Sequence, residues 1–386
     1  MNGVRRVLPS MALAWVLVAC TNSGMTAGQE ADRGTAPPST GAAARPSAGF
    51  TALDPIVDRA AHAASLLPDG RILITGGCIV DGCGEATRST EIFDPTTQRF
   101  VEGPEMSVPR AGHTATSLPS GDVLLVGGYS GEGEPPLLAV ELYVAGTGEF
   151  VPAGELDLGR GGHMAAVLSD GSVLIAGGSI GRRTLTDTAE TWDPSTRSFE
   201  PTGAMSIPRA AGTATTLRDG SVLIAGGEST PGLGVDSSEI YEAQTGAWTP
   251  GPSLGQARYK HAAVALTDGT VLIVGGTSDD ELLLTGIERY DGADFRNEGM
   301  LGEGRYKFSD AVAVLPDGRI AIPGGGRTGE SYDPATGLVG PLAGPGGRRS
   351  SFATATLLRD GSLLVVGGYD ERIDLLRLAY LTNLIP

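Results

Sequence analysis

The chain has 386 residues, a formal charge of -17, 59 glycines, 25 prolines and only 5% aromatic residues. So acidic a balance excludes nucleic acid or a bare anionic membrane as the natural contact surface. The glycine load, lacking any Gly-X-Y period, excludes collagen and points to short apolar segments broken by tight turns. Lys260 and Lys307 are the only lysines, so the basic complement is otherwise arginine.

Taken in chain order, residues 1–19 read as a targeting segment that takes no part in the fold. Arg5 and Arg6 supply the positive start, and "MALAWVLVA" is an apolar run too short to span a bilayer. It ends in "LVAC", with small Ala19 before Cys20. This resembles the lipobox of bacterial lipoproteins, which implies cleavage before Cys20, acylation of that cysteine and a membrane lipid anchor. The alternative is an ordinary secretory signal that happens to contain a cysteine. Thr21 stands where the inner-membrane retention signal would have aspartate. The resemblance therefore implies the outer membrane in a host that has one, with the periplasmic or surface side left open. Residues 20–48 are rich in Ser, Thr, Gly, Ala and Pro and are expected to form a flexible linker.

From residue 49 to 386 one unit recurs seven times. An apolar run closes on a glycine pair whose second member falls at 77, 128, 178, 227, 276, 325 and 368. An arginine stands ahead of each unit: Arg59, Arg110, Arg160, Arg209, Arg258, Arg305, and in the last unit Arg348 or Arg349. After it come a short strand with small residues, a tight Asp-Gly or Ser-Gly turn, and a nearly continuous apolar strand such as "SVLIAGG", expected to be covered on both faces. A third strand carries an aromatic, and a fourth carries Phe100, Phe150, Phe199 or Trp248. Four antiparallel strands per unit, repeated, make an all-β propeller. The pattern resembles the kelch repeat family, which implies a seven-bladed β-propeller. The last unit stops after its third strand, where Tyr380 is read as the aromatic, and Phe50 precedes Arg59 by about the fourth-strand interval. The N-terminal strand "FTALDP" is therefore expected to complete the last blade, giving one domain over 49–386 and a monomeric propeller.

Periodic residues are expected to be structural. The arginines should pair with glutamates two residues before the third-strand aromatic, namely Glu91, Glu141, Glu190, Glu239, Glu288 and Glu330. His62, His113, His163 and His261 all stand three residues beyond an arginine, and their rotational spread argues against one metal site. An exported location permits a disulfide between Cys78 and Cys83, the alternative being a metal pair with no third ligand nearby in sequence. No cofactor or metal is expected. The galactose oxidase group among kelch propellers needs copper held by converging tyrosines and histidines, and this sequence offers no such set.

Individuality lies in the loops joining second and third strands. They carry Asp81, Glu132, Glu134, Arg182, Arg183, Glu228, Asp236, Asp279, Asp280, Glu281, Asp370 and Glu371. The expectation is a non-catalytic module of the cell envelope that recognises a protein or glycan through this acidic face. The alternative is a cofactor-free carbohydrate-active enzyme, such as a sugar epimerase or mutarotase. That reading requires a central pocket whose polar groups break the seven-fold pattern.

Overall fold

The computed structural model describes residues 49–181 and 183–382. The expectations placed on the targeting segment, Cys20, the linker and Arg182 fall outside them. The chain is all β: seven four-stranded antiparallel sheets arranged as the blades of a propeller, plus one small hairpin formed by Glu228–Thr230 and Leu233–Gly234. Blade 1 is a meander of Ala63–Leu66, Ile72–Thr75, Thr90–Asp94 and Arg99–Glu102. Blade 7 takes three strands from the C-terminal end, Thr354–Leu357, Leu363–Val366 and Ala379–Thr382, and its outer strand, Phe50–Ala52, from the N-terminal end. The edge that an open ring would expose is thereby paired.

Second strands are buried at every position in six blades and over all three residues in blade 6, as their continuous apolar sequence demands. Their side chains pack between blades: Leu124 and Val126 of blade 2 meet Val173, Ile175 and Trp192 of blade 3. Each such aliphatic side chain contributes roughly 1.5–3 kcal/mol, and none of it is available to a blade alone.

The glycine pairs stitch neighbouring blades together. The N–H of the second glycine donates to the carbonyl at the arginine position of the next blade, from Gly77 to Arg110 around to Gly368 and Arg59. Side chains are excluded here: a Cβ on Gly76 would lie 2.2 Å from the Arg110 carbonyl oxygen.

Blade 7 departs from the expected register. Its glycine bond comes from Gly325 of blade 6 to Ser350, so Ser350, not Arg348 or Arg349, holds the arginine position. Val365 pairs with Tyr380 as Ile74 pairs with Glu91, so Tyr380 takes the glutamate position and Thr382 the aromatic one. The aromatic spacing misleads because the position opposite Phe50, equivalent to that of Phe93 opposite Phe100, holds Thr382, while a tyrosine stands two residues earlier.

Candidate functional site

Two rings surround the axis at the loop face. The outer one is the arginine ring. Each of the six arginines donates from one guanidinium nitrogen to the carbonyl of its own blade's first doublet glycine. Another nitrogen of the same group reaches the glutamate of that blade. The Arg59–Glu91, Arg110–Glu141 and Arg160–Glu190 contacts are 2.6 Å, Arg209–Glu239 and Arg305–Glu330 are 2.7 Å, and Arg258–Glu288 is equally direct. The glutamates also accept backbone N–H groups from the incoming loop, as Glu141 does from Ser107. Desolvation lowers the pKa of five of these arginines, Arg59, Arg110, Arg160, Arg209 and Arg258, and the paired carboxylate opposes that shift. A buried, multiply hydrogen-bonded pair of this kind fixes geometry and offers nothing to solvent.

The four histidines belong to the same framework. Each Nε2 meets a threonine hydroxyl of the preceding blade: His62 with Thr354, His113 with Thr75, His163 with Thr114, His261 with Thr213. Burial, reinforced by the neighbouring arginine, holds His62, His163 and His261 down to about 3 and His113 well below its ordinary value. They are neutral staples between blades.

The inner ring lies two residues past each arginine position: Ala61, Gly112, Gly162, Ala211, Lys260, Lys307 and Phe352. All seven adopt positive φ between 52° and 60°. Backbone hydrogen bonds run from each residue to the same position of the blade before it in six of the seven steps. This backbone hoop encircles the mouth of an axial cavity of about 360 Å³. Left-handed backbone costs an L-residue roughly 1 kcal/mol or more and is normally given to glycine. Blades 2 and 3 respect that with Gly112 and Gly162. Blades 1 and 4 bear the cost with alanine, and blades 5–7 bear it with Lys260, Lys307 and Phe352.

Here the seven-fold pattern breaks. The chain's only two lysines sit side by side on the hoop. Lys260 Nζ is 3.2 Å from Asp280 Oδ1 and 4.7 Å from the Tyr259 ring centroid, and its side chain is only 8% exposed. Lys307 Nζ lies 4.9 Å from the Tyr306 centroid and 5.1 Å from that of Phe352. Glu228, at the first position after its glycine doublet, lines the same cavity and accepts the Gly232 N–H at 2.7 Å. Burial pushes its carboxyl up, partly offset by that N–H and by Lys260. The Tyr259 hydroxyl is buried, and desolvation together with the nearby Asp280 carboxylate raises its pKa.

Blade 6 adds a carboxyl. The arginine-to-glycine hydrogen bond spans 17 residues in blades 1–5 and 19 in blade 6, so two extra residues enter the inner segment. The regular inner strand shrinks to Ala313–Val314, and Ser309 and Asp310 line the cavity. Asp310 is open to channel solvent yet enclosed by the inner strands. That enclosure raises its carboxyl pKa, against the Ser309 hydroxyl that lowers it. The unequal spacing was present in the sequence and is the signal by which Asp310 is found. That the two lysines line the cavity needs the hoop geometry.

The rim residues separate into groups. Asp81, Glu132, Glu134, Arg183, Asp236, Asp279, Glu281 and Glu371 are exposed, while Glu228 and Asp370 are buried. Several acids are occupied in shaping their own loops: Asp279 accepts the N–H groups of Glu281 and Leu282, Asp370 those of Arg372 and Asp374, and Glu371 that of Arg349. Asp81 accepts Leu375 N–H across the blade 1–blade 7 seam, beside the Cys78–Cys83 disulfide. Among the described rim residues, Asp280 pairs with Lys260, and Glu228 lines the cavity that both lysines line.

Residues 59–107 match the kelch motif model. A fungal alcohol oxidase of the AA5 family, solved with copper, superposes with a TM-score of 0.68 at 17% identity, over 86% of this chain and 75% of its own. The protein titled YjhT superposes with a TM-score of 0.57 at 13% identity, over 86% of this chain and 95% of its own. The fold is a kelch-type seven-bladed β-propeller. No curated protein matches the sequence. At such identities the propeller likeness carries the fold and no activity. The channel of this propeller does not fit copper: its four histidines are spread over four blades, with each Nε2 committed to a threonine. Among the described residues no three His, Cys, Asp or Glu side chains converge as metal ligands.

Proposed function

We propose that this propeller is a cofactor-free carbohydrate-active protein whose site is the axial mouth between blades 4 and 7. The observation that carries the reading is the break in symmetry: both lysines of the chain, together with Glu228 and Asp310, face one cavity whose ring is completed by two alanines, two glycines and Phe352. Two carboxyls on one cavity, one buried (Glu228) and one enclosed by the inner strands (Asp310), both with raised pKa, suit proton transfer. Lys260 and Lys307 hold and orient hydroxyl oxygens, and the Phe352 ring offers an apolar face to a sugar. For anomer exchange, one carboxylate takes the proton of the anomeric hydroxyl while a protonated acid donates to the ring oxygen. The C1–O5 bond opens to the aldehyde and recloses on the other face. The acidic rim, which sequence patterning alone would favour as the binding surface, steers encounter at most.

The test is NMR exchange spectroscopy of a monosaccharide panel, measuring anomer interconversion with and without protein. Asp310→Asn should lower an accelerated rate at least about 100-fold without unfolding the protein. Acceleration of no sugar by the wild type contradicts the catalytic part of the reading. The same reading places the protein at the cell envelope, tethered through Cys20. Mass spectrometry of the membrane fraction should find acylated Cys20, and an unmodified soluble form in a host that processes lipoproteins contradicts the tether.

A further inference from the structure

Blade 7 lacks the pair that the other six blades share. Ser350 stands at the arginine position and Tyr380 at the glutamate position. In blades 1–6 the guanidinium and carboxylate fill the space beneath the loop face; in blade 7 a cavity of about 320 Å³ opens there, toward blade 6. Ser350, Leu376, Leu378 and Tyr380 form its inner wall, and Tyr380 is buried.

The charged side chains that line this cavity are all arginines. In a protein of net charge -17 its lining includes Arg327, Arg348 and Arg377 and not one acid. All three guanidiniums are more than half exposed at the mouth. Their partners lie outside the lining; two of the contacts are loose, Arg327–Glu371 at 3.4 Å and Arg348–Asp370 at 3.5 Å, while Arg377 meets the exposed Asp54 directly at 2.5 Å. Arg327–Glu371 is exposed on both sides, a pair of the kind that contributes about 0–1 kcal/mol and yields readily to a better-placed anion, and Arg348 reaches the buried Asp370 only at long range. Arginine presents a planar donor fork matched to carboxylates, and the apolar inner wall asks for a hydrophobic body behind the charge.

We propose that the blade 7 cavity is a second binding site, separate from the axial mouth, for a small organic carboxylate with an apolar or aromatic body. The carboxylate sits among Arg327, Arg348 and Arg377, and the body lies against Leu376, Leu378 and Tyr380.

The experiment is ligand-observed NMR and calorimetry on the folded chain with 4-methylbenzoate, its neutral isostere 4-methylbenzamide, and inorganic phosphate as a bare anion. The carboxylate should bind. The amide and phosphate should bind at least about tenfold more weakly, since one lacks the charge and the other the apolar body. Arg348→Ala combined with Arg377→Ala should weaken the carboxylate at least about tenfold. Ser350→Arg with Tyr380→Glu rebuilds the missing pair, fills the space and should abolish binding with the fold intact. Lys260→Ala with Lys307→Ala should leave this binding unchanged, which separates the site from the axial one. No carboxylate binding by the wild type, equal binding of amide or phosphate, or binding undiminished in the arginine variant overturns the proposal. So does binding that persists in a folded cavity-filling variant.

Discussion

The two halves of the axial hoop share one backbone and differ in almost everything else. In blades 1–3 the hoop positions are Ala61, Gly112 and Gly162, each followed by a neutral histidine stapled to the blade before it. In blades 5 and 6 the hoop positions are Lys260 and Lys307, preceded by Tyr259 and Tyr306, and the inner segment of blade 6 is lengthened to insert Asp310. The first half is built to hold blades together. The second gathers two lysines and an added carboxyl on one cavity, a cluster of charge that stability alone does not explain and that marks a site. Substitutions in the first half should therefore cost stability and spare ligand binding, and substitutions in the second should do the reverse.

The largest effect is expected from the shared framework. Glu190→Ala leaves the Arg160 guanidinium buried without its carboxylate and should cost about 3–5 kcal/mol, read from urea unfolding. Blade 7 supplies the internal contrast, since Ser350→Ala removes no ion pair and should cost less than about 1 kcal/mol.

Acid should act next, on the histidine staples, three of which lie in blades 1–3 and the fourth, His261, in blade 5. The histidines have native pKa values of about 3 for His62, His163 and His261, against an ordinary 6.5. Below pH 6.5 the unfolded chain takes up protons that the native state refuses, so stability falls as pH drops from 6.5 toward 3. The melting temperature should already decline between pH 6.5 and 5, before surface aspartates titrate. His62→Gln should flatten that decline. A melting temperature constant over this interval contradicts the neutral-staple role.

Asp310 should respond with the opposite sign. Its carboxyl is desolvated and its pKa raised, so Asp310→Asn should leave the melting temperature unchanged or slightly higher while suppressing turnover. A clear loss of stability would make Asp310 a framework residue and erase the contrast between the halves. The smallest effect is expected at the rim: Asp279→Asn with Glu281→Gln should change stability by no more than about 0.5 kcal/mol and leave sugar binding intact.

Repetition explains what the sequence reveals and what it conceals. Blades are legible because glycine pairs, arginines and aromatics recur jointly, and each recurrence has one physical cause: a backbone that approaches its neighbour, a guanidinium that ties a blade, a ring between sheets. Closure by Phe50–Ala52 is legible for the same reason, from the interval between Phe50 and Arg59. Blade 7 is not, because Ser350 and Tyr380 occupy the marked positions without the marking chemistry, and nearby Arg349 imitates it. The candidate site is hidden by its own nature. Rim acids stand out in a linear reading, yet several only cap their loops, while Lys260 and Lys307 become neighbours only once the hoop is closed.

The central claim is that the charged half of the axial mouth, and not the acidic rim, receives the ligand. Saturation-transfer NMR of the monosaccharide panel, run on wild type, Lys260→Ala with Lys307→Ala, and Asp279→Asn with Glu281→Gln, tests it most directly. A sugar should bind the wild type and the rim variant equally and bind the folded lysine variant at least about tenfold more weakly. A sugar whose binding survives loss of both lysines and disappears with the rim acids would contradict it.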